Sequence, residues 1–203
     1  MKTFLSSHTF RGGIHPPGHK EMSSGAAIRE LPMPARLTVP LAQHLGAPAL
    51  PAVKAGDTVK AGQLIAAQNG VLSAPVHAPA GGKVAALEET LTAAGRPCAA
   101  VVIETDPAAE EEHLPRLLDW RAADKKELLA RVGAAGVIGM GGAGFPTRIK
   151  LAPPVDKPVD TVILNGAECE PYPASDHRLR LEHARALREG AESSRHIPGA
   201  RPL

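Results

Sequence analysis

Closely spaced glycine turns between residues 36 and 106 constrain the fold of this chain more than any other feature. Gly56-Asp57 and Gly62-Gln63 are turn signals about six residues apart, and Gly81-Gly82 follows in the second half of the region. The segments between them are short and apolar, beginning at residues 36–41 and closing at residues 99–104. Short strands joined by regularly spaced glycine turns are typical of a small all-β sandwich or barrel.

The residue pattern of this region resembles the biotinyl/lipoyl-like barrel-sandwich hybrid fold. V-x-x-G-D-x-V-x-x-G-Q-x-I occupies residues 53–65, and A-P-x-x-G-x-V occupies residues 78–84. In carrier proteins of that fold, a lysine at a hairpin tip carries the cofactor. The corresponding stretch here, residues 68–73, contains no lysine. A swinging-arm carrier role is therefore not expected, and a structural or docking role is favoured.

Composition excludes several classes of protein. The formal net charge is +2 and the charges are diffuse, which gives no case for a nucleic-acid surface. Cys98 and Cys169 lie far apart, which fits a reducing compartment, and two thiolates do not supply the four ligands of an iron–sulfur cluster. His15 and His19 have no acidic or cysteine companion nearby, so no metal site is expected. No segment approaches the ~20 apolar residues of a membrane span, which predicts a soluble, cytoplasmic chain.

We divide the chain into four regions. These are an extended N-terminal arm (residues 1–35), the barrel-sandwich domain (residues 36–106), a linker (residues 107–121) and an α/β domain (residues 122–203). The linker contains the acidic run Glu110-Glu111-Glu112 and is interpreted as solvated.

The α/β domain begins with a predicted helix. Asp124 and Glu127 have the spacing of a capping box, in which each side chain bonds a free backbone N–H of the first turn. The helix is expected to end near Gly133 or Gly136, because glycine adopts the left-handed conformation that ends helices.

Two further elements are predicted in the α/β domain. Residues 159–164 are apolar and β-branched, which predicts a buried strand ending at the turn Asn165-Gly166. Ser175 or Asp176 is expected to begin a helix that runs to about Arg188. From Arg188 onward the sequence no longer looks like a continuing helix.

A glycine cluster, which we call the glycine loop (residues 139–147), carries the first candidate for chemistry. Gly139, Gly141, Gly142 and Gly144 fall within six residues. Glycine lets the backbone turn tightly and bring its N–H groups close to an anion such as a phosphate. A helix starting near Phe145-Pro146-Thr147 would add its positive end, and Lys150 follows one turn later. The alternative is a flexible turn that lets two elements pack closely.

A second candidate, the Asn165 loop (residues 165–172), follows the predicted strand. Loops at the carboxyl ends of parallel strands are where α/β folds bind ligands. Asn165 can donate and accept toward a flavin's uracil-like edge, and Glu168 and Glu170 can accept from ribityl, ribose or amide groups. The alternative is a turn with solvated acids. Cys169 is interpreted as a buried small hydrophobe in preference to a redox thiol.

These motifs together resemble the RnfC family, which supplies one subunit of the ion-translocating Rnf electron-transport complexes. The resemblance rests on residues 139–147, 165–172 and 175–178, with further similarity at residues 10–17 and 73–79. It covers about residues 4–187. The glycine loop is also similar to that of the flavin-carrying subunit of respiratory NADH:quinone oxidoreductase, where it binds FMN.

Carried over position by position, the resemblance implies a set of cofactor-binding residues. They are Gly139, Gly141, Gly142, Gly144, Phe145, Lys150, Asn165, Glu168 and Glu170. Glu170 would lie near the nicotinamide nucleotide. Ala167 stands where the motif has an aspartate, so one polar contact is missing. No catalytic residue is assigned.

The resemblance also implies a fold and a function. The fold class is α+β, with the barrel-sandwich hybrid followed by an incomplete Rossmann-like α/β flavin domain. The function is electron transfer between NADH, FMN and iron–sulfur clusters in a membrane-associated, ion-translocating complex, with other Rnf subunits as partners on the inner face of the cell membrane. Family members continue into [4Fe-4S] motifs for which this chain has no ligands, so we expect a truncated product.

Two alternatives stay open. A cobalamin-reductase-like flavoprotein of the same family uses the same flavin loop, and the sequence does not separate the substrates. A non-catalytic scaffold would use the barrel to bind a partner, with the α/β part inert. Whether this chain is itself an enzyme is left open.

Overall fold

The computed structural model describes residues 16–140, 142–168 and 170–201. The chain forms two compact units. The small unit combines residues 1–28, described from residue 16, with residues 165–184. The large unit combines residues 29–164 with residues 185–203.

Two antiparallel sheets dominate the large unit. Their strands are β1 (Arg36–Pro40), β2 (Leu50–Pro51), β3 (Thr58–Val59), β4 (Leu64–Ala67), β5 (Val76–His77), β6 (Gly82–Leu91) and β7 (Pro97–Thr105). The four-stranded sheet has the order β1-β7-β6-β3, and the three-stranded sheet has the order β2-β4-β5. The predicted run of short strands over residues 36–106 is confirmed, including both end segments.

The core between these strands is aliphatic. Val101, Val102 and Ile103 of β7 are fully buried, as are Val84 of β6 and Ile65 of β4. A strand that is apolar at successive positions is buried on both faces, as the run of β7 predicts. Each such side chain contributes about 1.5–3 kcal/mol through burial, so the barrel needs no aromatic residue at its centre.

The acidic linker is attached to the barrel, so its interpretation as solvated is wrong at this point. The Ala61 N–H donates to the Glu110 carbonyl at 3.1 Å, and the Glu112 N–H donates to the Ala61 carbonyl at 2.7 Å. Lys60 Nζ lies 2.6 Å from a carboxylate oxygen of Glu110. These bonds satisfy backbone groups at the edge of the barrel that would otherwise need water.

Helix α1 (Lys125–Ala134) follows the linker at the predicted position. Asp124 occupies the N-cap position, but its side chain makes no capping hydrogen bond. Glu127 bonds Arg131 Nε at 3.0 Å, one turn further on, so the predicted capping box does not form. Gly136 has φ of +67°, and the helix ends just before it, as expected for glycine after a helix.

The prediction of a buried strand at residues 159–164 is wrong. The segment pairs with no strand in the described residues, and the Ile163 and Leu164 side chains are 83% and 55% exposed. One backbone bond is recorded, from the Arg201 N–H to the Asp160 carbonyl at 3.0 Å. A β-branched run becomes a strand only when a neighbour offers its backbone groups, and the described part of the chain offers none. At the coarse level the fold is α+β.

Three helices complete the described structure. They are α2 (Thr147–Lys150), α3 (Ser175–Glu182) and α4 (Ala184–His196). The helix predicted to start at Ser175 is interrupted at His183, and the expectation that helical structure ends near Arg188 is wrong. Arg188 pairs with Glu192 at 3.5 Å, a spacing of four residues that supports a helix. No helix of the described residues has the length and apolar character to cross a membrane.

Candidate functional site

The glycine loop is closed at its base by backbone bonds. The Gly139 N–H donates to the Phe145 carbonyl at 2.9 Å, and the Thr147 N–H donates to the Val137 carbonyl at 2.9 Å. Ile138 and Pro146 form an isolated antiparallel bridge between these two bonds. The loop is therefore a tight turn with both arms held together. Gly141, one of the predicted site residues, lies outside the described residues.

Lys150 brings a positive charge to this loop. A Cβ added at Gly139 would lie 2.6 Å from Lys150 Nζ, so glycine at this position leaves the space that the ammonium group occupies. The same Nζ lies 5.9 Å from the centroid of the Phe145 ring. Lys150 therefore reaches the backbone of the glycine loop.

The exposed part of the loop is open to a ligand. Gly142 and Ala143 are exposed, and a Cβ added at Gly142 would meet nothing within 4 Å. Within the described part of the chain, no acceptor is recorded for the backbone N–H of Gly142 or Ala143. Two exposed amides beside an ammonium group can bind an anion.

The helix expected after the loop is shorter than its role in binding requires. It begins at Thr147 as predicted but has only four residues, and Pro146 precedes it with φ of −58° and ψ of 120°. A helix of one turn sums few peptide dipoles, so it adds little positive potential at its start. The loop amides and Lys150 are therefore the groups that favour an anion here.

The Asn165 loop lies in the small unit and contains two local motifs. Asn165 Oδ1 accepts from the Ala167 N–H at 3.0 Å, which folds the start of the loop into an Asx turn. Glu168 has φ of +61° and accepts from the His177 N–H at 3.0 Å. This places the Glu168 carboxylate at the first turn of α3, where backbone N–H groups lack partners within the helix.

The first-turn contact changes the acidity of Glu168. Its hydrogen bond from the His177 N–H holds the pKa of the Glu168 carboxyl below its ordinary value of 4.5, and the Lys20 charge acts in the same direction. The partial burial of the carboxylate opposes this lowering. Glu168 therefore stays ionised to lower pH than an isolated glutamate.

Two cations that sequence reasoning missed hold the Asn165 loop in place. Lys20 Nζ donates to the carbonyls of Glu170 and Pro173, at 2.9 and 2.8 Å. Arg180 Nη2 donates to the Gly166 carbonyl at 2.9 Å. Both side chains line a cleft of about 550 Å³. Arg180 lies one turn after Asp176 in the matched motif, whereas nothing in the sequence marks Lys20.

Lys20 belongs to the predicted N-terminal arm, which contributes more than an extended strand of chain. A 3-10 turn covers Lys20–Met22, and the Tyr172 N–H donates to the Gly18 carbonyl at 2.7 Å. The His19 and Tyr172 rings stack with centroids 5.2 Å apart. The arm is therefore part of the support of the Asn165 loop.

The predicted site residues fall into two sets, one in each unit. Gly139, Gly142, Gly144, Phe145 and Lys150 come together in the large unit. The second set, Asn165, Glu168 and Glu170, belongs to the small unit. Cys169 lies outside the described residues, and Cys98 is buried in β7. Within the described residues, no cluster of three or more His, Cys, Asp or Glu side chains is arranged for a metal ion.

Two protein-family models match the chain. The model described as the RnfC barrel sandwich hybrid domain matches residues 8–108. The model described as the Nuo51 FMN-binding domain matches residues 132–203, which include both the glycine loop and the Asn165 loop.

Named relatives carry the same family description, each being the RnfC-type component of its complex. The chain is 43% identical over 185 residues to that component of the proton-translocating ferredoxin:NAD(+) oxidoreductase complex of Clostridium ljungdahlii. It is 46% identical over 191 residues to the one from the ion-translocating oxidoreductase complex of Rhodobacter capsulatus. It is 44% identical over 182 residues to the one from the Na(+)-translocating ferredoxin:NAD(+) oxidoreductase complex of Acetobacterium woodii. The matches cover 91%, 92% and 87% of this chain, but 40%, 36% and 40% of those relatives.

Proposed function

Because the chain belongs to the RnfC family, we propose that it forms part of the electron-transfer subunit of an ion-translocating oxidoreductase complex. It spans about two fifths of the length of the relatives it matches. The proposed share of this chain is the barrel-sandwich domain and part of the flavin- and NADH-handling site. Its partners are the other subunits of the complex, and its place is at the inner face of the membrane, without a membrane span of its own.

One observation carries this proposal: the Lys150 ammonium group lies beside the backbone of a closed glycine loop. The space at Gly139 that a Cβ would fill holds Lys150 Nζ. The exposed amides of Gly142 and Ala143 lie in the same loop. Amides and an ammonium group are the donors that a phosphate monoester requires. The residues present therefore fit the phosphate of FMN.

When bound, FMN would accept a hydride from NADH and release single electrons to iron–sulfur clusters. The glycine loop and Lys150 would hold its phosphate, and Phe145 would offer one apolar ring beside it. This chain's residues bind and orient the cofactor in this proposal, and none is assigned a chemical step.

Asn165, Glu168 and Glu170 are proposed as further flavin- and nucleotide-binding residues on the strength of the matched motif. The ordered Asx turn at Asn165 and the ionised Glu168 carboxylate support a preorganised loop. We also propose that residues 122–203 belong to a Rossmann-like flavin domain. The boundary at residues 107–121 is part of the same proposal.

Flavin titration tests this function directly. We expect the purified 203-residue chain to quench FMN fluorescence with saturation, and Lys150→Gln to raise the Kd about five- to tenfold by removing the charge. Lys126→Gln is the control, because Lys126 is exposed on α1 and has the same chemical change. Absence of saturable quenching in the wild-type chain, or equal effects of the two substitutions, contradicts the phosphate-site assignment.

A further inference from the structure

The hairpin tip of the barrel (residues 68–73) is the position where carrier proteins of the resembling fold hold their cofactor, and here it is rigid. The Asn69 N–H donates to Ser73 Oγ at 3.0 Å, and Ser73 is the one polar residue buried among the described residues. A bond across its base limits the conformations of the tip. A rigid tip is suited to supporting another part of the chain.

A short segment joins this tip to the glycine loop. We call residues 43–47 the bracket. The Ala47 N–H donates to the Leu72 carbonyl at 3.0 Å, which ties the bracket to the tip. On its other side, the Leu45 N–H donates to the Gly144 carbonyl at 3.1 Å. The backbone of the barrel therefore reaches the backbone of the glycine loop through two hydrogen bonds.

Gly144 shows how close this approach is. Its φ is +65°, and an added Cβ would lie 2.8 Å from the Gln43 carbonyl oxygen and 3.0 Å from His44 Cα. A side chain at this position would push the loop off the bracket. Glycine at 144 is thus explained by contact with the barrel, separately from any ligand.

A side chain makes the second connection. Arg148 Nη2 donates to the Val71 carbonyl at 2.9 Å, so the helix that follows the glycine loop is bonded to the hairpin tip. The stem of Arg148 crosses α1 at Gly133, where an added Cβ would lie 2.5 Å from Arg148 Cδ. Gly133 leaves the space that lets the arginine reach the tip.

We propose that the hairpin tip, through the bracket and Arg148, is the docking surface that holds the glycine loop in its binding conformation. Arg148 is a positioning residue in this arrangement, because its recorded contact is with the barrel. The barrel would contribute to flavin binding by fixing the loop, although it carries no cofactor itself. The functional part of this inference rests on the proposed FMN site, whereas the docking of the loop does not.

Amide hydrogen exchange tests the docking without any cofactor. Arg148→Ala is expected to lower the protection of the Gly139 and Thr147 amides about fivefold, since one hydrogen bond to the tip is lost. Arg148→Lys keeps a charged donor and is expected to stay within about twofold of wild type. Amides of β6 and β7 report whether the barrel remains folded. Unchanged protection at both loop amides in a folded Arg148→Ala chain overturns the proposal.

A matched pair of glycines provides a second test that leaves Arg148 in place. Gly133→Ala would place a methyl group where the arginine stem lies, whereas Gly190→Ala in α4 meets open space. Both changes favour the helix equally by propensity. We expect Gly133→Ala alone to lower protection of the glycine loop, and to have no added effect in an Arg148→Ala background. Equal behaviour of the two alanine variants in the loop amides counts against the role of Arg148.

FMN titration then connects docking with binding. Arg148→Ala is expected to raise the Kd for FMN by about the same factor as the loss of protection, and Arg185→Ala, an exposed arginine on α4, is expected to leave it unchanged. A wild-type chain that binds no FMN refutes the proposed function but leaves the exchange result standing. Weakened loop protection with unchanged FMN affinity refutes the link between docking and binding.

Discussion

The attachment of the acidic linker to the barrel predicts different outcomes for two similar glycines. Gly56 and Gly62 both lie in turns, with φ of +91° and +85°. A Cβ at Gly56 would meet nothing within 4 Å, whereas a Cβ at Gly62 would lie 2.1 Å from the Glu112 carbonyl oxygen. Alanine at either position carries the same backbone strain, so the difference between the two variants isolates the contact with the linker.

The magnitudes follow from these contacts. Gly56→Ala should cost ~1 kcal/mol of unfolding free energy, the penalty for an L-residue in the left-handed region. Gly62→Ala adds displacement of the linker, with loss of the bonds between Ala61 and the backbone of Glu110 and Glu112. At ~1 kcal/mol for each of these bonds, the total reaches ~3 kcal/mol.

Urea unfolding followed by circular dichroism measures the difference between the two variants. Hydrogen exchange at the Glu112 amide supplies a local reading, because this amide donates to Ala61 at 2.7 Å and should lose protection only in Gly62→Ala. Equal destabilisation by both substitutions, with the Glu112 amide still protected, would refute the view that the linker is bound to the barrel.

Two pH-dependent predictions follow from the charged groups of the loops. The lowered pKa of Glu168 means that its first-turn contact stabilises the small unit above about pH 4.5 and is lost as pH falls through the folded-state pKa, so His177 amide protection should drop in acid for wild type but be uniformly low in Glu168→Gln; an acid response that persists in the variant contradicts this. Burial lowers the pKa of His77 against the opposing pull of Glu112, so stability of the large unit should fall as pH drops below about 6.5, and an NMR titration placing His77 at or above 6.5 would show the burial to be absent.

Local patterns were sufficient to predict the barrel and the closed glycine loop. Gly56, Gly62 and Gly82 all adopt positive φ, and the apolar segments between such turns are the strands of the structure. Turn geometry and side-chain alternation depend on a few neighbouring residues, which is why these elements are readable from the sequence. The extension of helical structure to His196 was readable too, because the Arg188–Glu192 spacing is local, but the prediction overlooked it.

Contacts between distant segments were decided only by the tertiary structure. Residues 159–164 have a strand's composition and yet no strand partner within the described residues, because pairing depends on what the rest of the chain places beside them. The sequence alone determined that a glycine loop suited to an anion follows a barrel without a carrier lysine. Only the folded chain determined that Lys150 occupies the space at Gly139 and that Arg148 bonds the hairpin tip. Both are long side chains, whose direction is set by the neighbours that leave room for them.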